Sequence, residues 1–501
     1  MAKEMSADSS LSRIVEASVI TGLSSLIASA IGLAKGKSIA LLQGSEGIGL
    51  LGQFTSFYAF ITGFVTLGLS LGIIKYTSQY LASKDYGKVG NYWSSAISVI
   101  SITSATSCIA LILLSGPISA IIFGNESESI YVIIIALSIP FSAFAALLNS
   151  LINGARAIKS LASITILAAM GSFIATIPLV YFLGKDGIIT QIAVTSVVVL
   201  ILNLYMKRKV TKAWPRIAAD SRFYREEFAA LFKFGVVSLI TGMLLPLTMF
   251  IAQSIIIRSE GLSANGLFQG SWQLFWVYIG FATQTVSVYL LPTMSGTKEK
   301  AGLDSQVNNS LRFLVLAITP IACILVLFPG QILEILYNNE FTAAASLLSL
   351  MVVAGAFRII SYPVALALLA KNRLVAFLLI ECSWYAVFIG VVLYLLPTIG
   401  ILATGVGIIA AYVVHSALYV VLSKRILNIG YSAKNWALLL MSTAMLIAIA
   451  AMVYYFGIWA SIAAAVLLPA WFMISTKPSD RKWILDRARA LLIRLRLKKK
   501  R

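Results

Sequence analysis

The sequence predicts an all-α integral membrane protein of fourteen transmembrane helices. Three observations carry that prediction. The mean hydropathy is +0.92, and 59% of the 501 residues are hydrophobic while 12% are charged, against about 25% charged in a soluble domain. Apolar stretches recur at the length that crosses a bilayer, roughly 20 residues for a hydrocarbon core of about 30 Å. The cations between those stretches alternate in density, as they do when successive loops fall on opposite sides of a membrane.

Taken in order, the apolar spans cover 14–42, 48–74, 92–115, 129–152, 160–183 and 187–206. Six more follow at 229–257, 264–291, 311–329, 343–370, 374–396 and 400–422, and a last pair at 434–455 and 457–475. The first is too long for a signal-peptide core and has no small-residue cleavage site behind a short apolar run, so it reads as a retained helix. Pro140, Pro178, Pro246, Pro320 and Pro363 fall inside spans, where neighbouring helices re-satisfy the freed backbone groups. The longest polar interruption, 207–228, separates the two sets of six.

Of the 39 Lys and Arg, 33 lie in one alternate set of segments and four, Lys35, Lys37, Lys185 and Arg258, in the other; Lys233 and Arg358 lie within spans. The rich set holds both termini, the segment 207–228 and the tail, which places these in the cytoplasm. A net charge of +20 distributed this way fits a membrane surface and not a nucleic-acid partner. Cys108, Cys323 and Cys382 lie singly in apolar spans and read as small packing residues. The one histidine, His415, is also inside a span, so no metal site and no cofactor are expected.

The halves repeat weakly. Ala17–Gly22 is echoed by Val237–Gly242, Gly49–Gln53 by Gly266–Gly270, and Pro117 with Phe123–Glu126 by Pro329 with Tyr337–Glu340, at offsets between 212 and 220. Two sets of six spans insert with the same polarity. The sequence therefore predicts two pseudo-symmetric six-helix lobes related by an axis along the membrane normal, with a site between them. The organisation is an N-lobe over 1–206, a cytoplasmic linker over 207–228, a C-lobe over 229–425, two accessory spans over 426–475 and a basic amphipathic tail over 476–501. In the tail Ile484, Ala488, Leu491, Leu492 and Leu495 share one helical face, as in a helix lying on anionic lipid. Two lobes in one chain let a monomer suffice.

No nucleophile–base pair, metal spacing or phosphate loop is present. Gly44–Gly52 is glycine-rich but lacks the strand before it and the Lys-Ser/Thr after it. The informative residues are ionisable groups within or at the ends of spans, where they are costly and point to a pathway. Arg358 is the deepest. Lys37 and Arg258 lie toward the outer ends of equivalent spans, Lys75 and Lys233 toward inner ends, and Arg156 and Lys371 in matching turns, 215 residues apart. Each has a plain alternative: Arg358 paired to Glu381, the lysines snorkelling to headgroups, the turn cations acting only as topology signals. Glu16 and Glu381 are the acids within spans; either is a candidate for ion coupling, and Glu381 is the expected partner of Arg358. Trp272 and Gln273 offer an aromatic face and an amide to a sugar ring, with core packing as the alternative. Cations in both halves suit an anion such as a diphosphate, whereas an exporter of cationic drugs wants buried carboxylates.

Gly47-Ile-Gly-Leu-Leu-Gly-Gln53, Lys75-Tyr-Thr-Ser-Gln-Tyr80, Gln269-Gly-Ser-Trp272, Ser287-Val-Tyr-Leu-Leu-Pro-Thr293 and Asn339-Glu-Phe-Thr342 resemble, in order, the Wzx-type polysaccharide translocases of the multidrug/oligosaccharidyl-lipid/polysaccharide exporter superfamily. The resemblance runs over about residues 14–425. It implies a MATE-like fold of two six-helix lobes around a partly cationic central cavity, working by alternating access. It implies an undecaprenyl-diphosphate-linked oligosaccharide as substrate, carried from the cytoplasmic to the outer leaflet of the inner membrane. A polysaccharide polymerase and a chain-length regulator are the protein partners this suggests. The last two spans and the tail depart from the family's usual twelve spans. Three other readings stay open: an ion-coupled small-molecule exporter of the same superfamily, an integral-membrane glycosyltransferase or polymerase, which would want a large outer loop, and a non-transporting scaffold.

Overall fold

A computed structural model describes residues 2–212, 214, 223–297, 299–457 and 460–476. Regular structure among them is helical throughout: α1 Ala2–Val65, α2 Leu69–Ala82, α3 Tyr86–Leu113, α4 Ser115–Phe123, α5 Ser129–Gly154, α6 Ile158–Leu183, α7 Lys185–Thr211, α8 Arg225–Gly296, α9 Lys300–Leu327, α10 Pro329–Leu336, a 3₁₀ segment Asn339–Ala344, α11 Ala345–Ala370, α12 Leu374–Ile399, α13 Leu402–Ile426, α14 Ala433–Phe456 and α15 Ala460–Ser475. Among the described residues eleven helices are long and apolar enough to cross a membrane. The chain is a multi-pass membrane protein.

Two of the eleven, Val19–Val65 and Ser238–Gly280, run 47 and 43 residues, about twice the length of one crossing. Each contains a glycine that leaves the helical region: Gly44 at φ 63°, ψ −159° in α1 and Gly261 at φ 87°, ψ 171° in α8. These breaks fall between the spans expected at 14–42 and 48–74, and between those at 229–257 and 264–291. The expected span 48–74 needs correction. The helix stops at Val65, passes through Leu67 and Gly68 with φ of 48° and 65°, and resumes at Leu69. A Cβ on Gly68 would collide with the backbone of Gly235, so close helix contact, invisible in hydropathy, sets the break.

The order and length of the elements recur along the chain. Ser129–Gly154 and Ile158–Leu183 return as Ala345–Ala370 and Leu374–Ile399, 216 residues on, and Tyr86–Leu113 returns as Lys300–Leu327, 214 on. The turns recur as well. The amides of Ala155, Arg156 and Ala157 bond the carbonyls of Leu151, Asn153 and Ile152, and those of Lys371, Asn372 and Arg373 bond Ala367, Leu369 and Leu368. Arg156 and Asn372 both take left-handed conformations, φ 57° and 56°. The structural counterpart of Arg156 is therefore Asn372, not Lys371, because the turn register is 216.

One seam joins the first half to the second over its whole length. The second segment of α1 and then α2 run antiparallel to the first segment of α8. Gln53 Nε2 donates to Ser254 Oγ at 2.8 Å, Phe57 and Phe250 lie 5.1 Å apart, Gly63 faces Met243, and Gly72 faces Leu231. At its upper end the second segments of α1 and α8 cross so closely that a Cβ on Gly49 or Gly266 would overlap the backbone of Leu262 or Ser45. That contact accounts for the repeated glycines. Asn265 Nδ2 bonds the Gly49 carbonyl at 2.8 Å, and Ser45 Oγ and Ser263 Oγ lie 2.6 Å apart. The first segment of α1 meets the second segment of α8 differently. Gly32 and Gly36 lie beside Gln273, but Gly22 and Gly280 face open space, and Val19, Leu23 and Ile27 are exposed.

The accessory pair is clamped on. Asn435 Nδ2 bonds Asn308 O and Oδ1 at 2.9 and 2.8 Å, Asn308 Nδ2 bonds Gly430 O at 2.9 Å, and Trp471 Nε1 bonds Ser442 Oγ at 2.8 Å. Within the linker 207–212, 214 and 223–228 are described, and α7 continues through it to Thr211; the Tyr224 amide donates to Ser95 Oγ at 3.0 Å and its carbonyl accepts from the same hydroxyl at 3.1 Å. The linker residues 213 and 215–222 and the amphipathic helix of the tail, Ile484 to Leu495, lie outside the described residues.

Candidate functional site

Four helices bring charge and aromatic rings together at mid-length. α11 presents Arg358, α8 presents Trp276, α12 presents Glu381, and α13 presents Tyr412, His415 and Tyr419. The spacing on α13 follows from helical geometry: residues three, four or seven apart share a face, so Tyr412, His415 and Tyr419 form one stripe. The Arg358 guanidinium carbon lies 5.1 Å from the Trp276 ring and 5.4 Å from the Tyr412 ring. Such contacts contribute about 0.5–2 kcal/mol, more when dry. Arg358 Nε is buried without a hydrogen-bond partner.

Glu381 is not the direct partner of Arg358 that the sequence led us to expect. Its Oε1 accepts from Tyr419 Oη at 2.8 Å and sits 3.2 Å from His415 Nε2. No Arg358–Glu381 ion pair forms among the described residues, although Arg358 feels the carboxylate's charge. The reason is geometric: α13 places two partners around the acid, and the rings of Trp276 and Tyr412 hold the guanidinium aside. His415, read in the sequence only as a lone histidine that argues against a metal site, is thus part of the site; its Nδ1 is buried and unpartnered. Arginine, acid and histidine within spans, on three successive helices, are the signal that could have found it.

The other expected site residues are dispersed. Lys37 Nζ donates to the Ile335 carbonyl of α10 at 2.5 Å. Arg258 is exposed, three residues before the Gly261 break, with no hydrogen bond or ion pair among the described residues. Lys37, Arg258 and Arg358 therefore do not form one cluster. Lys75 is exposed and lies 5.0 Å from the Tyr76 ring, and Lys233 is exposed. Arg156 Nε reaches Ser78 Oγ at 3.3 Å, and Lys371 Nζ donates to the Thr297 carbonyl at 2.5 Å.

Trp272 is 7% exposed and stacked on Phe268 and Phe275, so it serves the core and offers no free face to a sugar. Gln273, one residue on, makes a polar contact: its Oε1 accepts from Tyr337 Oη at 3.2 Å, and it borders Gly32 and Gly36 of α1. The side chain of Glu16 lies outside the described residues. Among the described residues no three His, Cys, Asp or Glu side chains could hold a metal, and Cys382 is exposed where a packing role was expected.

A second polar region, not foreseen, lies in the first half. Lys35 Nζ reaches Ser172 Oγ at 3.4 Å; Thr195 Oγ1 donates to the same oxygen at 3.1 Å, and Ser172 and Thr176 approach Gln191 Oε1 at 3.4 and 3.2 Å. Lys35 was grouped with loop cations because the sequence does not say which way its side chain turns.

Comparison with known proteins fits this architecture. The Lipid III flippase of Escherichia coli (strain K12) is 25% identical over 413 residues, covering 81% of this chain and 97% of its own length. Among solved structures, an inward-facing multidrug resistance MATE family transporter of the MOP superfamily superposes with a TM-score of 0.71 at 14% identity, over 80% of this chain and 94% of that one. Lipid II flippase MurJ in an inward closed conformation superposes with a TM-score of 0.67 at 15% identity, over 93% and 99%. These two show that the fold is shared. The profile of the family described as Polysaccharide biosynthesis protein matches residues 40–346, more than half of the sequence. The chain belongs to that family.

Proposed function

We propose that this protein flips an undecaprenyl-diphosphate-linked oligosaccharide from the cytoplasmic to the outer leaflet of the inner membrane by alternating access. The observation that carries the reading is Arg358, a guanidinium at mid-span held by ring faces and left with a buried, unpartnered Nε. A diphosphate offers it charge-assisted, bidentate bonds. A charged, sugar-bearing head cannot cross hydrocarbon without such a path. The flippase relatives, named for lipid-linked precursors, support the same reading.

On this reading the chain crosses the membrane fourteen times: the glycine-broken helices α1 and α8 count twice, and α15 completes the set. The halves 1–206 and 229–425 act as two lobes, linked by 207–228 in the cytoplasm, with both termini on that side. The open space beside Gly22 and that beside Gly280 would admit the lipid tail laterally near the cytoplasmic face, while the Gly49–Gly266 crossing closes the outer side. Glu381, within reach of His415 and Tyr419, and Glu16 are the candidates for coupling to an ion gradient. One chain contains both lobes and functions as a monomer.

The test is reconstitution of the purified full chain in proteoliposomes carrying a fluorescent undecaprenyl-diphosphate oligosaccharide, quenched from outside. Accelerated loss of the protected signal is expected. Transport of cationic dyes with no effect on the lipid would instead establish the small-molecule exporter.

A further inference from the structure

We propose that Lys35, with Ser172, Thr195 and Gln191, forms a second oxyanion subsite in the first half of the chain, apart from Arg358, that holds an acidic group of the transported head. This rests on the flippase reading and adds a contact to it.

The argument starts from how each cation is compensated. Arg358 lies on two ring faces with Glu381 on the next helix. Lys37 and Lys371 each reach a backbone carbonyl at 2.5 Å, and Lys185 sits on the carboxylate of Glu46. Lys35 has one long contact, 3.4 Å to a hydroxyl, and no ion pair among the described residues. An ammonium carries three donors, so two of the three are unused. A cation inside a span is costly unless paired. Snorkelling explains a lysine that turns toward the headgroups, but Lys35 turns toward α6 and α7, where Ser172, Thr176 and Gln191 are buried.

The surroundings suit an oxyanion. The Thr195 and Ser172 hydroxyls donate to Ser172 Oγ and Gln191 Oε1 and can rotate to an entering oxyanion, and among the described residues no carboxylate pairs with the ammonium. Lys35 and Thr195 are only partly buried, so a ligand can reach them. Nine residues separate Lys35 from the Gly44 break, about 13 Å along the helix. Arg358 stands thirteen residues inside α11, about 20 Å. The oxyanion is a sugar carboxylate or a phosphate oxygen, and one titration separates the two.

Full-length protein in lipid nanodiscs is titrated calorimetrically with methyl glucuronide, with pyrophosphate and with uncharged methyl glucoside. The wild type is expected to bind at least one oxyanion and to bind the glucoside more weakly. Lys35→Met, which keeps the volume and removes the charge, should weaken oxyanion binding at least tenfold; Lys35→Arg should stay within a few-fold of wild type. Lys185→Gln, which removes an exposed cation, should bind as wild type. Loss confined to glucuronide assigns the subsite to an acidic sugar, and loss confined to pyrophosphate assigns it to the diphosphate. Equal binding by wild type and Lys35→Met, or weakening only in variants whose Tm also falls, overturns the subsite and leaves the flippase reading standing. A wild type that binds neither oxyanion overturns the subsite too; the proteoliposome assay then decides the flippase reading separately.

Discussion

Ser142 and Ser196 precede Arg358 and Tyr412 by 216 residues, the offset at which their helices and turns recur. Both pairs come together in space. In the second half Arg358 and Tyr412, with Trp276, put a guanidinium between two rings. In the first half Thr62 Oγ1 and Ser142 Oγ lie 3.1 Å apart, with the Tyr58 hydroxyl beside Ser142 and Ser196. The same scaffold position thus holds a charge in one half and neutral hydroxyls in the other. The difference extends to the support. At the places of Glu381, His415 and Tyr419 the first half has Thr165, Val199 and Asn203, none of which can carry a charge. The helices are duplicated; the chemistry is divided between the copies.

That division can be tested by breaking it, and the largest effect is expected where charge is moved to the unsupported side. Ser142→Arg puts a guanidinium among hydroxyls with no acid nearby and should cost about 3–5 kcal/mol, as other unpaired buried charges do. The readout is thermal unfolding in detergent; an unchanged Tm would mean that the first half tolerates charge and that the comparison is superficial.

Glu381→Gln comes next. It leaves the Tyr419 and His415 bonds without their charge and should lower stability by about 1–3 kcal/mol. Flipping in proteoliposomes should also stop responding to an imposed pH gradient. A variant that keeps the full response would remove Glu381 from coupling.

Gly266→Val tests the crossing shared by the halves. The added side chain meets the Ser45 carbonyl, and overpacking of this kind costs about 1–3 kcal/mol. Cysteine accessibility near Ser45 should rise on the outer side. If neither stability nor accessibility changes, the crossing is not the outer closure.

The smallest effects belong to the hydroxyl cluster. Thr62→Val and Ser142→Ala each remove one neutral hydrogen bond, a loss of about 0.5–1.5 kcal/mol. Flipping rates should stay within a few-fold of wild type, and a larger loss would give the first-half hydroxyl cluster a direct role in transport.

How much of this was legible in the sequence varies by feature. Hydropathy located the spans, and the Gly49–Gln53 echo at Gly266–Gly270 anticipated the 217-residue offset between the breaks at Gly44 and Gly261. The break at Leu67–Gly68 escaped notice, since apolar residues flank it and the approach of Gly235 sets it. Arg358 stood out because a lone arginine at mid-span has few explanations. Its partners did not: Tyr412 and Trp276 look like ordinary core residues until three helices pack. The pairing with Glu381 was wrong in detail because neighbouring helices bring residues near without fixing which atoms meet. Trp272 and Gln273 show the same limit, adjacent in sequence yet one stacked on Phe268 and Phe275 and the other bonded to Tyr337. Lys35 and Lys37 do so as well, one turned into the first half and the other to a carbonyl of α10.

The central claim is that Arg358 holds the diphosphate. The direct measurement is the flipping rate of a fluorescent undecaprenyl-diphosphate oligosaccharide in proteoliposomes, compared among wild type, Arg358→Lys and Arg358→Ala at matched folded protein. Losing a charge-assisted hydrogen bond costs about 1.5–3 kcal/mol, so Arg358→Ala should slow flipping roughly 10- to 100-fold. Arg358→Lys, which keeps the charge but not the bidentate geometry, should fall between. Equal rates for all three, with normal thermal stability, would contradict the claim and leave Arg358 as a structural cation of the second half.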